Sequence, residues 1–345
     1  MSPPRCQSVR LNSTGWDQPL ETVVGPDAVF SPRADRVCVA LEASGVCHRD
    51  LIDREGRIPF MRLPVVPGHE GVGRVVAVGP EVTEWKVGDR VATLHRDACG
   101  SCGACRAGDT SLCPSATFVL GLLADGTYAR RLIAPQSALY GVPDEMPAEL
   151  AAPLHCTFGT AWRSLVTVGQ LQVGERVLVT GANGGVGMAA VQIAARFASE
   201  VIAVVRDPVH VNDLRALGAT EVVVSPENDF HRGSVVGIDL ALDCVGTPTF
   251  HPALKTLRVG GRICVVGNVV PERAQLNLGL LIVMGLRVLG AGGATRGDMA
   301  ALLAAHAEQP FQPAVDQVFP LDRAEEAQRK VREGGRRGRV ILTID

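Results

Sequence analysis

The sequence has no surplus of charge: 34 Lys and Arg face 36 Asp and Glu, a formal net charge of −2. Without a positive field there is no electrostatic case for nucleic acid or for an anionic membrane. A long apolar run is also missing. The most apolar stretch, Leu276 to Ala294, is broken by Arg287 and by several glycines, so no membrane-spanning helix is expected. The opening residues, MSPPRCQSVRLNST, contain no apolar core of a signal peptide, and a cytoplasmic protein is expected. In that compartment the 10 cysteines point to metal and free thiols rather than disulfides. Basic residues gather only in Glu333-Gly-Gly-Arg336-Arg337-Gly-Arg339. That run is short and glycine-broken, and reads as a solvated turn before the last strand rather than a phosphate-binding patch.

What is present is more specific. At 345 residues the chain suits about two domains, with ample apolar content for buried cores. Cys99-Gly-Ser-Cys102-Gly-Ala-Cys105, closed by Cys113, has C-x2-C-x2-C-x7-C spacing. Short loops of this kind turn successive sulfurs toward one point, as a tetrahedral zinc requires. Unrelated buried cysteines or a redox pair are the alternatives, but ligands this close with Gly between them favour the metal. Four thiolates leave no open position, so this zinc should hold a lobe together and do no chemistry.

Residues 20 to 135 carry short β-type runs such as Arg36–Leu41 and Gly73–Val78, with turn signals about every ten residues. This pattern reads as a compact, irregular β-barrel-like domain. Three polar clusters interrupt the first half: Gly45-Val-Cys47-His48-Arg49-Asp50, Pro67-Gly-His69-Glu70-Gly71 and Pro153-Leu-His155-Cys156-Thr157. Each offers one soft or borderline ligand. Taken alone, a buried cysteine is usually core and a His-Glu pair is often a surface ion pair. Together, Cys47, His69 and Cys156 form a two-thiolate, one-imidazole set known for catalytic zinc with an open fourth position.

In the second half, strand Arg176–Thr180 runs into Gly181-Ala-Asn-Gly184-Gly185-Val186-Gly187 and then the helical pattern Met188–Arg196. Strand, glycine turn and helix together form the context of a dinucleotide fingerprint, here as G-x-x-G-x-x-G. Further strands are expected at Val201–Val205, Glu221–Ser225, Ile238–Cys244, Arg262–Val266 and Arg287–Gly290, alternating with helices at His210–Leu217 and Phe250–Leu257. That alternation implies a doubly wound parallel sheet. Cys244 and Cys264 lie on its strands and read as core residues. Helix 297–307, strand 315–319, helix 323–332 and strand 340–344 complete the chain. The second strand ends in valine where an NAD-binding chain carries a carboxylate, and Arg206 follows. This favours NADP(H), unless Arg206 merely pairs with Asp207.

Taken in order, GVCHRD, PGHEGVG, the Cys99–Cys113 lobe and the Cys156 segment resemble the medium-chain, zinc-containing alcohol dehydrogenase-like enzymes over essentially the whole chain. The resemblance implies an α/β protein with a GroES-like β-barrel catalytic domain and a Rossmann cofactor domain. The catalytic domain would comprise residues 1–157 and 292–345, with the zinc lobe at 95–115, and the cofactor domain residues 158–291. It makes Cys47, His69 and Cys156 the ligands of a catalytic zinc, for two Zn2+ per chain. Asp50 would orient a ligand, Glu70 would be an alternative ligand, and His48 would lie near the cofactor pyrophosphate. Cys244, Val245, Gly267 and Asn268 would line the cofactor beside the glycine turn. His95 and His155 have no role in the resemblance and read as structural. Phe60, Leu122, Trp162 and Met284 are guesses for the substrate pocket. The family is dimeric or tetrameric, which implies a contact between cofactor domains through Leu276–Leu289.

One departure matters. Alcohol-oxidising members have Ser or Thr two positions after the first cysteine ligand and often His five after it, a relay for the alcohol proton. Here those positions hold Arg49 and Ile52. Arginine stays protonated and isoleucine transfers no proton. A conjugated carbonyl needs its proton on carbon, so the missing relay points toward reduction of C=C. GVCHRD, VGTPTF, GGRICVVGNV and LNLGLL are closest to the branch that includes acryloyl-CoA reductases. A carbonyl or alcohol dehydrogenase with another proton route is the second reading. A non-catalytic dinucleotide-binding protein and a zinc-finger nucleic-acid binder are remote ones.

Overall fold

The computed structural model describes residues 5–25 and 31–344. The chain opens with a two-stranded antiparallel ribbon, β1 (Arg5–Arg10) and β2 (Glu21–Gly25). The first half then supplies β3 (Arg36–Val46), β4 (Glu70–Val78), β5 (Arg90–Thr93), β6 (Arg131–Pro135) and β7 (Leu139–Gly141). The second half supplies β8 (Arg176–Thr180), β9 (Glu200–Val205), β10 (Glu221–Val224), β11 (Ile238–Asp243), β12 (Leu257–Val265) and β13 (Arg287–Gly290). The tail adds β14 (Val315–Pro320) and β15 (Arg339–Thr343).

Strands β8 to β13 form one parallel sheet in the order β10-β9-β8-β11-β12-β13. Their near-continuous apolar sequences suit a sheet covered on both faces. One face packs Val177, Val179 and Leu242 with Met188 and Ile193 of helix Gly185–Ala194. The opposite face packs Leu178, Ile202 and Ile263 with Phe250 and Leu254 of helix Thr247–Thr256. Strand order reverses between β8 and β11, and in such sheets ligands bind outside the strand ends at that reversal. Cys264 is core as expected, with its thiol 3.1 Å from the Ser164 carbonyl.

The other sheet runs β14-β15-β3-β4-β5-β7, with β6 also paired to β3. Its centre is therefore made by the tail together with the first half. Val340 of β15 faces Val46 of β3, while Gly45 of β3 faces Glu70 of β4. This register brings Arg339, Cys47 and His69 to one end of neighbouring strands. A helical segment from Ala148 to Val168 leads from this sheet to the other, with π turns at His155–Gly159 and Arg163–Val168. No helix among the described residues is long and apolar enough to cross a membrane.

Two sequence expectations are corrected here. Trp162 is no pocket residue: it lies in the core, edge-on to Phe197 at 6.4 Å. The arginine-rich run is not a solvated turn either. Arg339 is 4% exposed, because β15 is a central strand of its sheet rather than an edge.

Candidate metal centre and cofactor cleft

Cys47 follows β3 and caps helix His48–Arg54, its backbone N–H donating to Asp50 Oδ2 at 2.8 Å. Tyr128 donates its hydroxyl to the same oxygen at 3.0 Å, while Asp50 Oδ1 lies 3.1 Å from His69 Nδ1. A carboxylate on Nδ1 fixes the ring and leaves Nε2 to face a metal. His69 Nε2 lies 3.6 Å from the Cys156 sulfur, which is 3.7 Å from that of Cys47. One ligand atom each from Cys47, His69, Glu70 and Cys156 fall within 4.8 Å of one another. The π turn carries Cys156 into this cluster, and such turns often mark functional positions.

The two thiols are coupled. A hydrogen bond from Cys156 holds the Cys47 thiol well below its usual range, against the opposing cost of burial. Burial pushes the Glu70 carboxyl up to about 7, with Arg339 pulling the other way. Arg339 Nη2 sits 3.0 Å from Glu70 Oε1, yet neither Glu70 oxygen has an aligned hydrogen bond among the described residues. A Cβ at position 45 would come within 1.9 Å of the other Glu70 oxygen, so Gly45 makes room for this carboxylate. Soft thiolates, an oriented imidazole and an under-bonded carboxylate are a donor set that fits zinc.

The second cluster is Cys99, Cys102, Cys105 and Cys113, also within 4.8 Å of one another. Backbone N–H groups of Cys102, Cys105 and Cys99 donate to the sulfurs of Cys99, Cys102 and Cys113 at 3.4, 3.5 and 3.4 Å. Hydrogen bonds from Ser101 and Cys102 hold the Cys99 thiol down at about 6. This set also fits zinc, and it offers no histidine or carboxylate. Sequence reasoning missed its anchor. Buried Arg163 reaches Asp109 of the lobe at 2.5 Å, Asp298 at 3.0 Å and the Ala291 carbonyl at 2.6 Å. Nothing in the local pattern marks Arg163, since its partners are distant in sequence.

The glycine turn follows β8. Gly181 has φ +57°, and a Cβ at Gly187 would come within 2.4 Å of the Gly181 carbonyl oxygen. Gly184 caps helix Gly185–Ala194, whose first N–H groups can receive an anion. Val186 is half-buried beside it. The tail turn docks directly on this loop: Gly338 N–H donates to the Asn183 carbonyl at 2.8 Å, and Asn183 Nδ2 to the Arg336 carbonyl at 3.0 Å. A Cβ at Gly185 would lie 3.2 Å from the Arg339 guanidinium carbon. Arg339 Nε and Arg336 Nε are buried without hydrogen-bond partners among the described residues. Unfilled guanidinium donors over a helix N-terminus fit a pyrophosphate.

Val245 packs under Gly181, and a Cβ at Gly267 would meet the Cys244 backbone at 2.1 Å. Val269 N–H donates to the Val245 carbonyl at 3.0 Å, closing these two strand-end loops together. The helix bearing His48 leans on them. His48 Nε2 is 3.4 Å from the Val269 carbonyl, and Arg57 Nη2 is 3.4 Å from that of Asn268. Arg206 is exposed with no ion pair among the described residues, because Asp207 instead accepts from Val209 N–H at 2.9 Å.

Arg49 is pinned. Its Nε lies 3.0 Å from Asp53 Oδ2, and its Nη2 donates to the Leu120 carbonyl at 2.6 Å. Burial pushes the Asp53 carboxyl up to about 6, against the pull of Arg49.

Residues 33–144 match the family described as the alcohol dehydrogenase GroES-like domain, and residues 217–342 the zinc-binding dehydrogenase family. An acryloyl-coenzyme A reductase of Sulfurisphaera tokodaii is 32% identical, covering 94% of this chain and 95% of its own. An alcohol dehydrogenase of Geobacillus stearothermophilus is 34% identical, covering 90% of this chain and 92% of its own. The crystal structure of an NAD-dependent alcohol dehydrogenase superposes with a TM-score of 0.90 at 33% identity, covering 98% of this chain and 100% of the other. With such similarity along nearly its whole length, the chain belongs to the alcohol dehydrogenase-like family of medium-chain oxidoreductases, with a GroES-like domain joined to a Rossmann domain.

Proposed function

We propose that this oxidoreductase is zinc-dependent and transfers hydride from NADPH to the conjugated C=C of an α,β-unsaturated carbonyl compound. The observation that carries the reading is Arg49. It occupies the position from which an alcohol proton would be relayed, and it is held there by hydrogen bonds to Asp53 and the Leu120 carbonyl. A guanidinium accepts no proton. Ile52, one turn on, offers none. The acryloyl-CoA reductase name of one relative agrees with this reading.

Cys47, His69 and Cys156 would hold one zinc, which when bound supplies Lewis-acid polarisation of a carbonyl. Cys99, Cys102, Cys105 and Cys113 would hold the other and fasten the lobe to Arg163. Asp50 keeps the His69 ring turned. Gly181, Gly184, Gly185, Val186 and Gly187 bring backbone N–H groups to the cofactor pyrophosphate. Arg336 and Arg339 supply positive charge there from the catalytic unit, with His48 beside them as an uncharged ring, its basicity pushed down by burial. Cys244, Val245, Gly267 and Asn268 form the floor of the cofactor cleft, and Arg206 takes the 2′-phosphate. The catalytic unit comprises 1–157 and 292–345, the cofactor unit 158–291. A cytoplasmic homodimer or homotetramer acting on a small molecule, without nucleic acid or membrane, completes the proposal.

The test is anaerobic oxidation of NADPH against a 2-enal and the matching saturated aldehyde, with product identification. A saturated aldehyde formed from the enal is expected, with slow or no oxidation of simple primary alcohols. Efficient alcohol oxidation with no activity on any enone or enoyl ester would reject the reading. The alternative would then stand, an alcohol or aldehyde dehydrogenase with another proton route, as the Geobacillus relative's name suggests.

A further inference from the structure

The glycine turn after β8, the loop after β11 and the loop after β12 meet at one buried carboxylate. Asp243, the last residue of β11, is fully buried, and its Oδ1 collects four donors. Thr180, the residue before Gly181, donates its hydroxyl at 2.6 Å, and Thr249 of helix Thr247–Thr256 does so at 2.6 Å. The backbone N–H groups of Val245 and Gly246 donate at 3.2 and 3.3 Å. The Thr180 hydroxyl in turn accepts from Cys244 N–H at 3.1 Å. The Asp243 main-chain carbonyl accepts from the N–H groups of Val266 and Gly267, both at 3.0 Å. One residue thus holds all three segments.

The contacts leave little play. Asp243 and Thr180 are register partners in the sheet. A Cβ at Gly246, where φ is +100°, would come within 2.8 Å of the Gly267 carbonyl oxygen, so the two strand-end loops touch. Asp243 Oδ2, by contrast, has no hydrogen-bond partner among the described residues. Burial pushes this carboxyl up from its ordinary value, against the hydrogen bonds from Thr180 and Thr249. A polar group in a dry interior costs free energy unless its bonds offset it, and a satisfied network is correspondingly rigid. Every bond to the Asp243 carboxylate comes from the segments around the cofactor cleft.

We propose that Asp243 is the positioning residue of this cleft, fixing the glycine turn against the cleft floor so that a nicotinamide dinucleotide meets both at once. The inference rests on the reading of the cleft as a dinucleotide site. Being fully buried, Asp243 acts through Thr180, Val245 and Gly267. Its effect falls on parts of the cleft that NADPH and NADH share, unlike that of Arg206.

The test titrates wild type, Thr180→Val, Asp243→Asn, Asp243→Ala and Thr256→Val with NADPH and with NADH, following nucleotide fluorescence. Tm and kcat at saturating NADPH are read alongside. Thr180→Val keeps the side-chain shape and removes one strut. It should raise Kd for both nucleotides roughly tenfold, the worth of one buried hydrogen bond. Asp243→Ala strands four donors and should cost at least as much. Asp243→Asn keeps an acceptor for those donors and places its amide where Oδ2 has no partner, so it should bind within about threefold of wild type. Thr256 is buried in helix Thr247–Thr256 and donates within it, to the Ala253 carbonyl at 2.8 Å, so Thr256→Val should leave Kd unchanged. In Thr180→Val, kcat at saturating NADPH should fall far less than kcat/KM. Wild-type Kd in Thr180→Val, whatever its Tm, overturns the inference. So does a loss confined to NADPH, an Asp243→Asn as damaging as Thr180→Val, or an equal loss in Thr256→Val, which would mean general loosening. Should Asp243→Ala fail to fold, Thr180→Val and Asp243→Asn decide. Wild type that binds neither nucleotide overturns the reading of the cleft itself, and the inference with it.

Discussion

The Arg339 guanidinium and the Glu70 carboxylate meet at 3.0 Å, with side-chain exposures of 4% and 1%. They come from strands on either side of β3, the tail strand β15 and the early strand β4. The pair therefore links the end of the chain to the residue after His69 and, through Gly185, to the glycine turn. One ion pair joins sheet, metal cluster and cofactor loop.

Removing one member of a buried pair leaves the other charge stranded, at a cost of about 3–5 kcal/mol. Arg339→Leu should show a loss of that order in urea unfolding at pH 7.5, and a raised KM for NADPH. Arg339→Leu combined with Glu70→Gln should regain part of the stability but not the cofactor affinity. A single variant as stable as wild type would mean the pair contributes nothing.

The two metal clusters should fail differently. Structural zinc contributes folding free energy directly. Cys102→Ser should lower Tm and solubility and loosen the lobe that Arg163 grips. Cys47→Ser should leave the fold largely intact and abolish turnover, with zinc content falling by about one ion per chain. Unfolding by Cys47→Ser with mere slowing by Cys102→Ser would reverse the assignment.

The Gly181–Gly187 turn and the Cys99–Cys113 lobe were legible because their geometry is local: spacing alone brings those groups together. The alternation of strands and helices after Arg176 was legible for the same reason. The docking of Arg336 and Arg339 was not. It depends on β15 pairing with β3, a register set by residues some 300 positions apart, and a glycine-broken arginine run looks solvated until that pairing is known. Trp162 was misjudged because a large aromatic is marked by the sequence as apolar, not as core or pocket.

Asp53 should leave a signature in pH. Its carboxyl, ordinarily near 3.9 in an unfolded chain, is raised to about 6 by burial. Between those values the folded state binds more protons than the unfolded one, so stability falls as pH rises. Relative to Asp53→Asn, wild type should lose roughly 2 kcal/mol between pH 4 and 6.5 and change little above pH 7. Urea unfolding of both proteins across that range measures the difference directly. A constant difference from pH 4 to 7 would show that Asp53 titrates as an ordinary carboxylate.

Cofactor choice turns on Arg206. β9 ends at Val205, and the position where a carboxylate would bind both ribose hydroxyls carries none. Asp207 might have supplied one, or neutralised Arg206, but it is committed to the turn that follows, accepting from Val209 N–H at 2.9 Å. That leaves an exposed guanidinium without a partner among the described residues, able to give paired charge-assisted hydrogen bonds to a 2′-phosphate. Losing one well-placed charged contact typically costs about 1.5–3 kcal/mol, on the order of ten- to a hundredfold in affinity. Arg206→Ala should raise KM for NADPH by that factor and leave KM for NADH nearly unchanged, because NADH has no phosphate there. The effect should shrink in high salt, as the contact is exposed. Equal weakening of both cofactors, or a wild-type preference for NADH, would assign the turn to the bare ribose instead.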